Sequence, residues 1–378
     1  MRRPGLIPLL FSLVLTAARA DAPAAAPAAV TVPAAATVAG PVTVGPPRTG
    51  QFVTAFTLTT PLADAREVAQ RLLHRIVFEN ALKAGEIGSG QTVDPTRETW
   101  QMYVPEDYDG SQAYGVLVYV DPRPVAWVPY GWEGQLKAHK LIFVAANKSG
   151  NRESVDGRRI PLALTGLVNV EARYRIDPAR MYVAGFSGGG VTASRIAAAY
   201  SDVFTGAIYI STSDGLGSPE VPVPPKERYQ LMQDRGRYVF TNGTEETTNQ
   251  IMNGRSFGEY KSLCVLHVYR IEIPDVVHED LPPRPFARAL KYLDDPDKVD
   301  PADQASCEQR LAERRAASLK EIRQAFADDD TAKAHDLLVD FHQQFGFMGE
   351  PDFSHFAGCL NGAILAMDCL PALKKPDD

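Results

Sequence analysis

The segment Gly185-Phe-Ser-Gly-Gly189 constrains the fold more than any other part of the sequence. It follows the apolar run Met181–Ala184 and leads into Val191–Tyr200, which has the composition of a helix. On such a strand-to-helix turn a serine takes a strained conformation, and side chains at the flanking glycine positions would collide with neighbouring backbone. The pattern predicts a nucleophile elbow that exposes the hydroxyl of Ser187, and the alternative is an ordinary glycine-rich turn.

Strand-like and helix-like patterns alternate from Gln51 to about Asp295. Several of the strand-like runs are apolar on both faces, as strands covered by helices on each side must be. We therefore predict an α/β fold with a doubly wound, mostly parallel sheet of about eight strands. The candidate strands are Phe52–Thr60, Thr99–Val104, Gly115–Val120, Leu141–Ala146, Met181–Ala184, Ala207–Ile210, Tyr238–Thr241 and Val265–Ile273.

The patterns also predict where the domains begin and end. Residues 51–300 are expected to form the α/β domain, and residues 301–378 a C-terminal helical extension. Two amphipathic patterns, Gln304–Ala327 and Thr331–Phe345, define the extension, and their apolar faces favour packing against the α/β domain over binding a partner. Within the α/β domain, Asp64–Ala84 is predicted as one helix.

The first residues have the pattern of a signal peptide. Arg2 and Arg3 precede an apolar run, residues 5–18, that is shorter than the about 20 residues needed to cross a bilayer. Residues 1–20 are therefore expected to be removed, and the Ala- and Pro-rich residues 21–50 to form a linker. We expect an exported protein, periplasmic or extracellular, without stable membrane insertion.

A serine becomes a nucleophile when a base and an acid assist it, and behind an elbow these follow in the order acid, then histidine. His278 lies just after the last candidate strand and is the predicted base. The acid should follow the preceding strand, Tyr238–Thr241, where the loop offers Glu246 or Glu245. Asp275 is a further candidate.

Ile176–Gly190, followed by Tyr200-Ser-Asp-Val-Phe204, resembles the exported esterases related to polyhydroxybutyrate depolymerases and feruloyl esterases. Met102–Tyr108 and the segment around His278 fit the same family, so the resemblance extends over roughly residues 98 to 290. It implies an α/β-hydrolase fold, hydrolysis of carboxylic esters by Ser187 and His278, and an acid at Glu246. No cofactor is implied.

The oxyanion site departs from that family. The N–H of Gly188, at the start of a helix, is the first expected donor. Many relatives have His-Gly after the third strand where this chain has Asp121-Pro122, and proline has no N–H. The second donor would then be the amide of Arg123 or a side chain of the following loop. Loss of such a donor costs about 10²–10³ in rate, which motivates the alternative of a non-catalytic, hydrolase-like binding domain of the cell envelope.

The loop after the third strand is rich in aromatic residues. Trp127, Tyr130 and Trp132 are predicted to contact an aryl or sugar group of the substrate, or else to pack the loop onto the sheet. Residues 147–152, after the next strand, face the same edge, where they bind substrate or cap the loop. A serine peptidase on the same fold would share the triad and differ in these contacts.

Charge and cysteine content limit the partners. A formal net charge of -7 leaves no general basic surface, so we expect a small-molecule or polymeric ester as substrate and no nucleic acid. The exported compartment permits disulfides, and of the three possible pairings Cys264–Cys307 with Cys359–Cys369 is favoured. His355 with Cys359 lacks the further ligands of a zinc site, so no metal is expected.

Overall fold

The computed structural model describes residues 47–73 and 75–360. The chain divides into two units, Met1–Val42 and Thr43–Asp378, and every described residue belongs to the second unit. The predicted signal peptide, nearly all of the predicted linker and residues 361–378 lie outside the described residues.

The core of the protein is one eight-stranded sheet with the order β1-β2-β4-β3-β5-β6-β7-β8. The pairs β1/β2 and β2/β4 are antiparallel, and every later pair is parallel. The strands are β1 Gly50–Thr54, β2 Trp100–Val104, β3 Tyr114–Val120, β4 Leu141–Ala146, β5 Ile176–Phe186, β6 Gly206–Ile210, β7 Arg237–Gly243 and β8 Val268–Ile273. The prediction of a mostly parallel sheet of about eight strands is confirmed.

Eleven α-helices are found in the described part of the chain. They are α1 Ala65–Leu72, α2 Arg75–Lys83, α3 Trp132–Ala138, α4 Ile160–Glu171, α5 Gly188–Ala199, α6 Lys226–Asp234, α7 Thr247–Ser262, α8 Pro283–Asp294, α9 Pro301–Ala327, α10 Thr331–Phe345 and α11 Glu350–Leu360. None of these helices is long and apolar enough to cross a bilayer.

Alternation along the strands explains why helices cover both faces of the sheet. In β3 every residue is buried. Val116 and Val118 join the apolar cluster formed with α4 and α5, whereas Leu117 and Tyr119 join a second cluster formed with α3 and α8. Because successive side chains of a strand point to opposite faces, an apolar run of this kind requires a helix layer on each side.

Several predicted boundaries differ from the structure. The first strand, expected at Phe52–Thr60, spans Gly50–Thr54, and the fifth, expected at Met181–Ala184, spans Ile176–Phe186. The helix expected at Asp64–Ala84 is divided into α1 and α2, because Leu73 takes an extended conformation with φ -88° and ψ 143°. The strand expected from Val265 begins at Val268, because the residues before it close the end of α7. Val265 donates its N–H to the carbonyl of Tyr260 there, within a C-terminal turn instead of a strand ladder.

The C-terminal helices pack onto the α/β domain. Leu311, Ile322 and Phe341 belong to the same apolar cluster as one face of the sheet. A disulfide between Cys264 and Cys307 joins the end of α7 to α9, as predicted. Cys359 is also disulfide-bonded. Cys369, its predicted partner, lies outside the described residues.

Candidate active site

Ser187 occupies the turn between β5 and α5 with φ 53° and ψ -128°. A positive φ at a residue other than glycine costs about 1–3 kcal/mol and persists only where the surroundings hold it. Here the Ser187 N–H donates to the carbonyl of Ile210 at 2.9 Å, and the Ser187 carbonyl accepts from the Thr212 hydroxyl at 2.6 Å. The backbone of the turn is therefore fixed by β6 and the segment that follows it.

The two glycines of the motif are required by close backbone contacts. A Cβ at Gly185 would lie 2.2 Å from the carbonyl oxygen of Gly189. A Cβ at Gly189 would lie 1.9 Å from the carbonyl oxygen of Val120. No side chain fits at either position unless α5 moves away from the sheet, which is the physical reason for the pattern in the sequence.

His278 links the serine to an acid. Its Nε2 lies 2.9 Å from Ser187 Oγ, and its Nδ1 lies 2.5 Å from Glu246 Oε1. The three residues come from loops after β5, β7 and β8, which end at the same edge of the parallel sheet. The ring packs against Phe186 at 4.6 Å between centroids, and 45% of the side chain is exposed. The imidazole is thus held in place while remaining accessible from solvent.

Glu246 is the carboxylate that contacts His278, and it is buried. Burial favours a higher pKa, but hydrogen bonds from His278, Ser211, Asn249 and the Gly243 N–H outweigh it and lower the pKa of Glu246. An ionised carboxylate accepts hydrogen bonds only, so Nδ1 of His278 carries the proton. Its Nε2 is then free to accept the proton of Ser187.

The other two acid candidates lie elsewhere. Glu245 is exposed, and its N–H donates to the carbonyl of Val276. Asp275 is exposed as well, and its N–H donates to the Thr244 hydroxyl. The structure brings neither carboxylate to the imidazole, so Glu246 is the acid in contact with His278.

Asn249 is part of the site, although the sequence prediction missed it. Its Nδ2 donates to Glu246 Oε1 at 3.1 Å and lies 3.0 Å from His278 Nδ1. Asn249 is three residues after Glu246, in the first turn of α7, so the two side chains share one face. That spacing was the one available signal in the sequence.

The oxyanion donors are placed in part as predicted. Gly188 is the first residue of α5, so its N–H has no carbonyl partner within the helix and lies at the positive end of the helix dipole. The Arg123 amide, expected as the second donor, donates instead to Asp121 Oδ1 at 2.9 Å. The structure therefore corrects this prediction, since an amide engaged by a buried carboxylate is not free for an oxyanion.

Strand order, the elbow after β5 and the order serine, acid, histidine together decide the fold. It is an α/β-hydrolase fold.

The comparisons with known proteins add partial likenesses. No protein-family model matches the chain, and no curated protein matches it.

Solved structures similar to this chain include S-formylglutathione hydrolase (FrmB) from Staphylococcus aureus, with 13% identity over 54% of this chain and 95% of that one, and a TM-score of 0.42. The poly(3-hydroxybutyrate) depolymerase LpqC from Bordetella parapertussis has 15% identity over 56% and 88%, with a TM-score of 0.37. Dipeptidyl peptidase 4 from Porphyromonas gingivalis has 15% identity over 58% and 37%, with a TM-score of 0.38. The chain also matches a thermostable esterase, of whose length it spans about half (51%). Because these TM-scores are low, the fold is assigned from the strand order of this chain and not from the similar structures.

The aromatic loop of the α/β-hydrolase domain divides into exposed and buried residues. Trp127 is 42% exposed, with the guanidinium of Arg123 lying 3.4 Å from the centroid of its ring. Tyr130 is 93% exposed. Trp132 is fully buried, stacks on Phe286 at 3.6 Å and donates its indole N–H to the Leu281 carbonyl. The predicted substrate contact is therefore corrected for Trp132, which packs α3 against α8.

A network of charges anchors the loop that carries His278. Asp280, two residues beyond the imidazole, accepts hydrogen bonds from Arg123 at 2.9 Å and from the Tyr119 hydroxyl at 2.5 Å. Burial and the nearby Asp280 raise the pKa of Tyr119 well above its usual value, so its hydroxyl donates. Arg123 also pairs with Asp121. Burial raises the pKa of Asp121 despite that pairing. The network joins the end of β3 to the histidine loop.

Arg159 is a second residue that the sequence prediction missed. It is buried behind the elbow, and its guanidinium donates to the carbonyls of Ser149 at 2.8 Å, Gly188 at 3.0 Å and Asp121 at 3.3 Å. Burial lowers the pKa of Arg159 to about 10, so it stays cationic at neutral pH. One cation thus ties together the ends of β3 and β4 and the start of α5. Its isolated position in the sequence gave no signal of this role.

Proposed function

We propose that this chain is an exported serine hydrolase that cleaves carboxylic esters through Ser187, His278 and Glu246. The observation that carries the proposal is the continuous contact from Ser187 Oγ to His278 Nε2 at 2.9 Å and from His278 Nδ1 to Glu246 at 2.5 Å. A hydroxyl, an imidazole and a carboxylate in this order and geometry form the apparatus of acyl transfer.

The reaction follows from the protonation states of the site. Ser187 Oγ attacks the ester carbonyl while its proton passes to His278 Nε2. The tetrahedral intermediate expels the alcohol, which takes that proton, and leaves an acyl group on Ser187. Water then attacks the acyl-enzyme with His278 as base, and the acid product is released. Glu246, whose pKa is lowered, stabilises the imidazolium in both halves of the reaction.

The substrate class is proposed from the surface beside the elbow. Trp127 and Tyr130 remain exposed on the loop after β3 and offer apolar, aromatic contacts to an acyl, aryl or sugar group. We infer a small-molecule or polymeric ester of low charge, in keeping with the net charge of -7. Export to the periplasm or the cell exterior is proposed from residues 1–20 of the sequence.

The test combines a covalent probe with a mutation. A fluorophosphonate should add its mass to Ser187, and Ser187→Ala should abolish both the labelling and the hydrolysis of short p-nitrophenyl esters. Ser306→Ala, a change on α9 of the C-terminal extension, serves as the matched control and should retain full activity. Unchanged turnover in Ser187→Ala would reject the proposal.

The same panel separates the alternatives. A binding domain of the cell envelope would be folded but unreactive toward probe and esters. The contact between Glu246 and the imidazole supports the enzyme over that alternative. A peptidase would react with the probe but cleave peptide amides in preference to esters, so peptide p-nitroanilides belong in the same screen.

A further inference from the structure

The oxyanion site needs a donor that the backbone after β3 does not supply. A tetrahedral intermediate on Ser187 carries a negative oxygen, and two donors usually stabilise it. Pro122 has no N–H, and the amide of Arg123 is engaged by Asp121 at 2.9 Å. The N–H of Gly188, at the start of α5, is then the expected backbone donor. A side chain of a neighbouring loop can supply the second donor.

The side chain of Asn151 lies against the elbow. A Cβ built at Gly188 would lie 2.2 Å from Oδ1, 2.8 Å from Cγ and 3.0 Å from Nδ2 of Asn151. The carboxamide therefore fills the space beside the first residue of α5, next to the Gly188 N–H. Among the hydrogen bonds of residues 47–73 and 75–360, none involves this carboxamide. Both of its ends are available to a ligand.

The backbone of Asn151 is held firmly although its side chain is exposed. Its N–H donates to the Pro122 carbonyl at 2.9 Å. Gly150 packs so closely that a Cβ there would lie 3.0 Å from the carbonyl carbon of Arg123. Arg159 binds the carbonyls of both Ser149 and Gly188 and so couples the asparagine loop to the elbow. The backbone that carries the carboxamide is thus held beside the elbow.

We propose that Asn151 Nδ2 is the second oxyanion donor of this enzyme, in place of the backbone amide that Pro122 removes. The inference rests on the proposed function and adds a catalytic residue to it. A half-turn about χ2 exchanges Nδ2 and Oδ1, so the N–H can be presented to the oxyanion when the charge develops. Because the donor acts on that charge, it lowers the barrier and contributes little to substrate binding.

Three substitutions test the role. Asn151→Ala should lower kcat by about 10²–10³ with little change in KM. Asn151→Asp has nearly the same shape but places a negative charge where the oxyanion forms, so it should be no more active than the alanine variant. Asn80→Ala, on the exposed surface of α2, is the matched control and should retain the activity of the parent. A merely structural asparagine would be replaced better by aspartate than by alanine, and that order would overturn the proposal.

A transition-state analogue gives a second measurement. A trifluoromethyl ketone adds to Ser187 as a hemiketal with an oxyanion, so its inhibition constant should rise in Asn151→Ala by about the factor lost from kcat/KM. An inhibition constant that stays unchanged would overturn the assignment. Absence of labelling and turnover in the parent enzyme would refute the proposed function itself, whereas full activity in Asn151→Ala would refute this inference alone.

Gly188→Ala provides a further check that does not remove the asparagine. Its methyl group would collide with the carboxamide, so kcat should fall by about tenfold or more in the parent. In the Asn151→Ala background the collision is gone, and the same change should then cost much less, a coupling that a double-mutant cycle measures. Equal effects in both backgrounds would overturn the proposed contact.

Discussion

The guanidinium of Arg159 donates a hydrogen bond of 3.0 Å to the carbonyl of Gly188, the residue directly after Ser187. The same side chain binds carbonyls at the ends of β3 and β4. The nucleophile, the loop after β3 and the asparagine loop are therefore positioned by one buried cation. The precision of the elbow depends on a residue 28 positions before the serine, outside the motif that identifies it.

Replacement of Arg159 should impair both stability and turnover. Arg159→Met keeps the length of the side chain but removes the guanidinium donor from three backbone carbonyls, so we expect a loss of about 2–4 kcal/mol in the free energy of unfolding. The elbow should loosen, and kcat should fall by more than KM changes. Urea unfolding and ester kinetics measure the two effects. Arg97→Met, at an exposed arginine, should change neither, and normal kinetics in Arg159→Met would refute the positioning role.

Glu246 and Glu245 form a natural pair for testing the acid. Glu246→Gln keeps the shape of the side chain but no longer fixes the proton on Nδ1 of His278, and in a related triad this change costs on the order of 10⁴ in kcat. Glu245→Gln alters an exposed carboxylate and should leave kcat unchanged. Steady-state kinetics on the two variants, side by side, decide the assignment. Similar losses in both would indicate that general charge near the site matters more than the contact with His278.

Features that depend on local sequence patterns were predictable, whereas contacts between residues far apart in the sequence were not. The sheet was predictable because runs such as Leu141–Ala146 are apolar on both faces, and that local pattern directly reflects burial between two helix layers. Ser187, Glu246 and His278 were predictable as candidates because the chain order of such a triad follows from the fold. The choice between Glu245 and Glu246 needed the family resemblance or the structure, since both residues occupy the same loop.

What the sequence could not predict is the proximity of separate loops. Arg123 and Asp280 are 157 residues apart, and nothing in their local sequence indicates that they pair. The same holds for the contact of Asn151 with Gly188. Trp132 was misjudged for a related reason: the aromatic loop ends where α3 begins, and the first turn of that helix directs this ring into the core instead of toward the substrate.

The pH dependence of stability should carry the signature of Glu246. Its pKa is lower in the folded protein than in the unfolded chain, so its contribution to stability is present above the unfolded value of about 4.3 and is lost as the pH falls through the lower folded value. The difference in unfolding free energy between the parent and Glu246→Gln should be constant at neutral pH and shrink below about pH 4. Urea unfolding over a pH series measures it. A difference that grew below about pH 4 would show that the folded pKa is raised instead.

The two tryptophans of the loop after β3 should respond to substitution in opposite ways. Trp132→Ala removes a fully buried ring stacked on Phe286 and should lower the free energy of unfolding by about 3–5 kcal/mol. Trp127→Ala removes a ring that is 42% exposed and contacts Arg123, so it should cost little stability and instead raise KM for aryl esters. Urea unfolding and kinetics with phenyl and short alkyl esters separate the effects. An unchanged KM for aryl esters in Trp127→Ala would mean that this ring serves to hold Arg123 in place and takes no part in substrate binding.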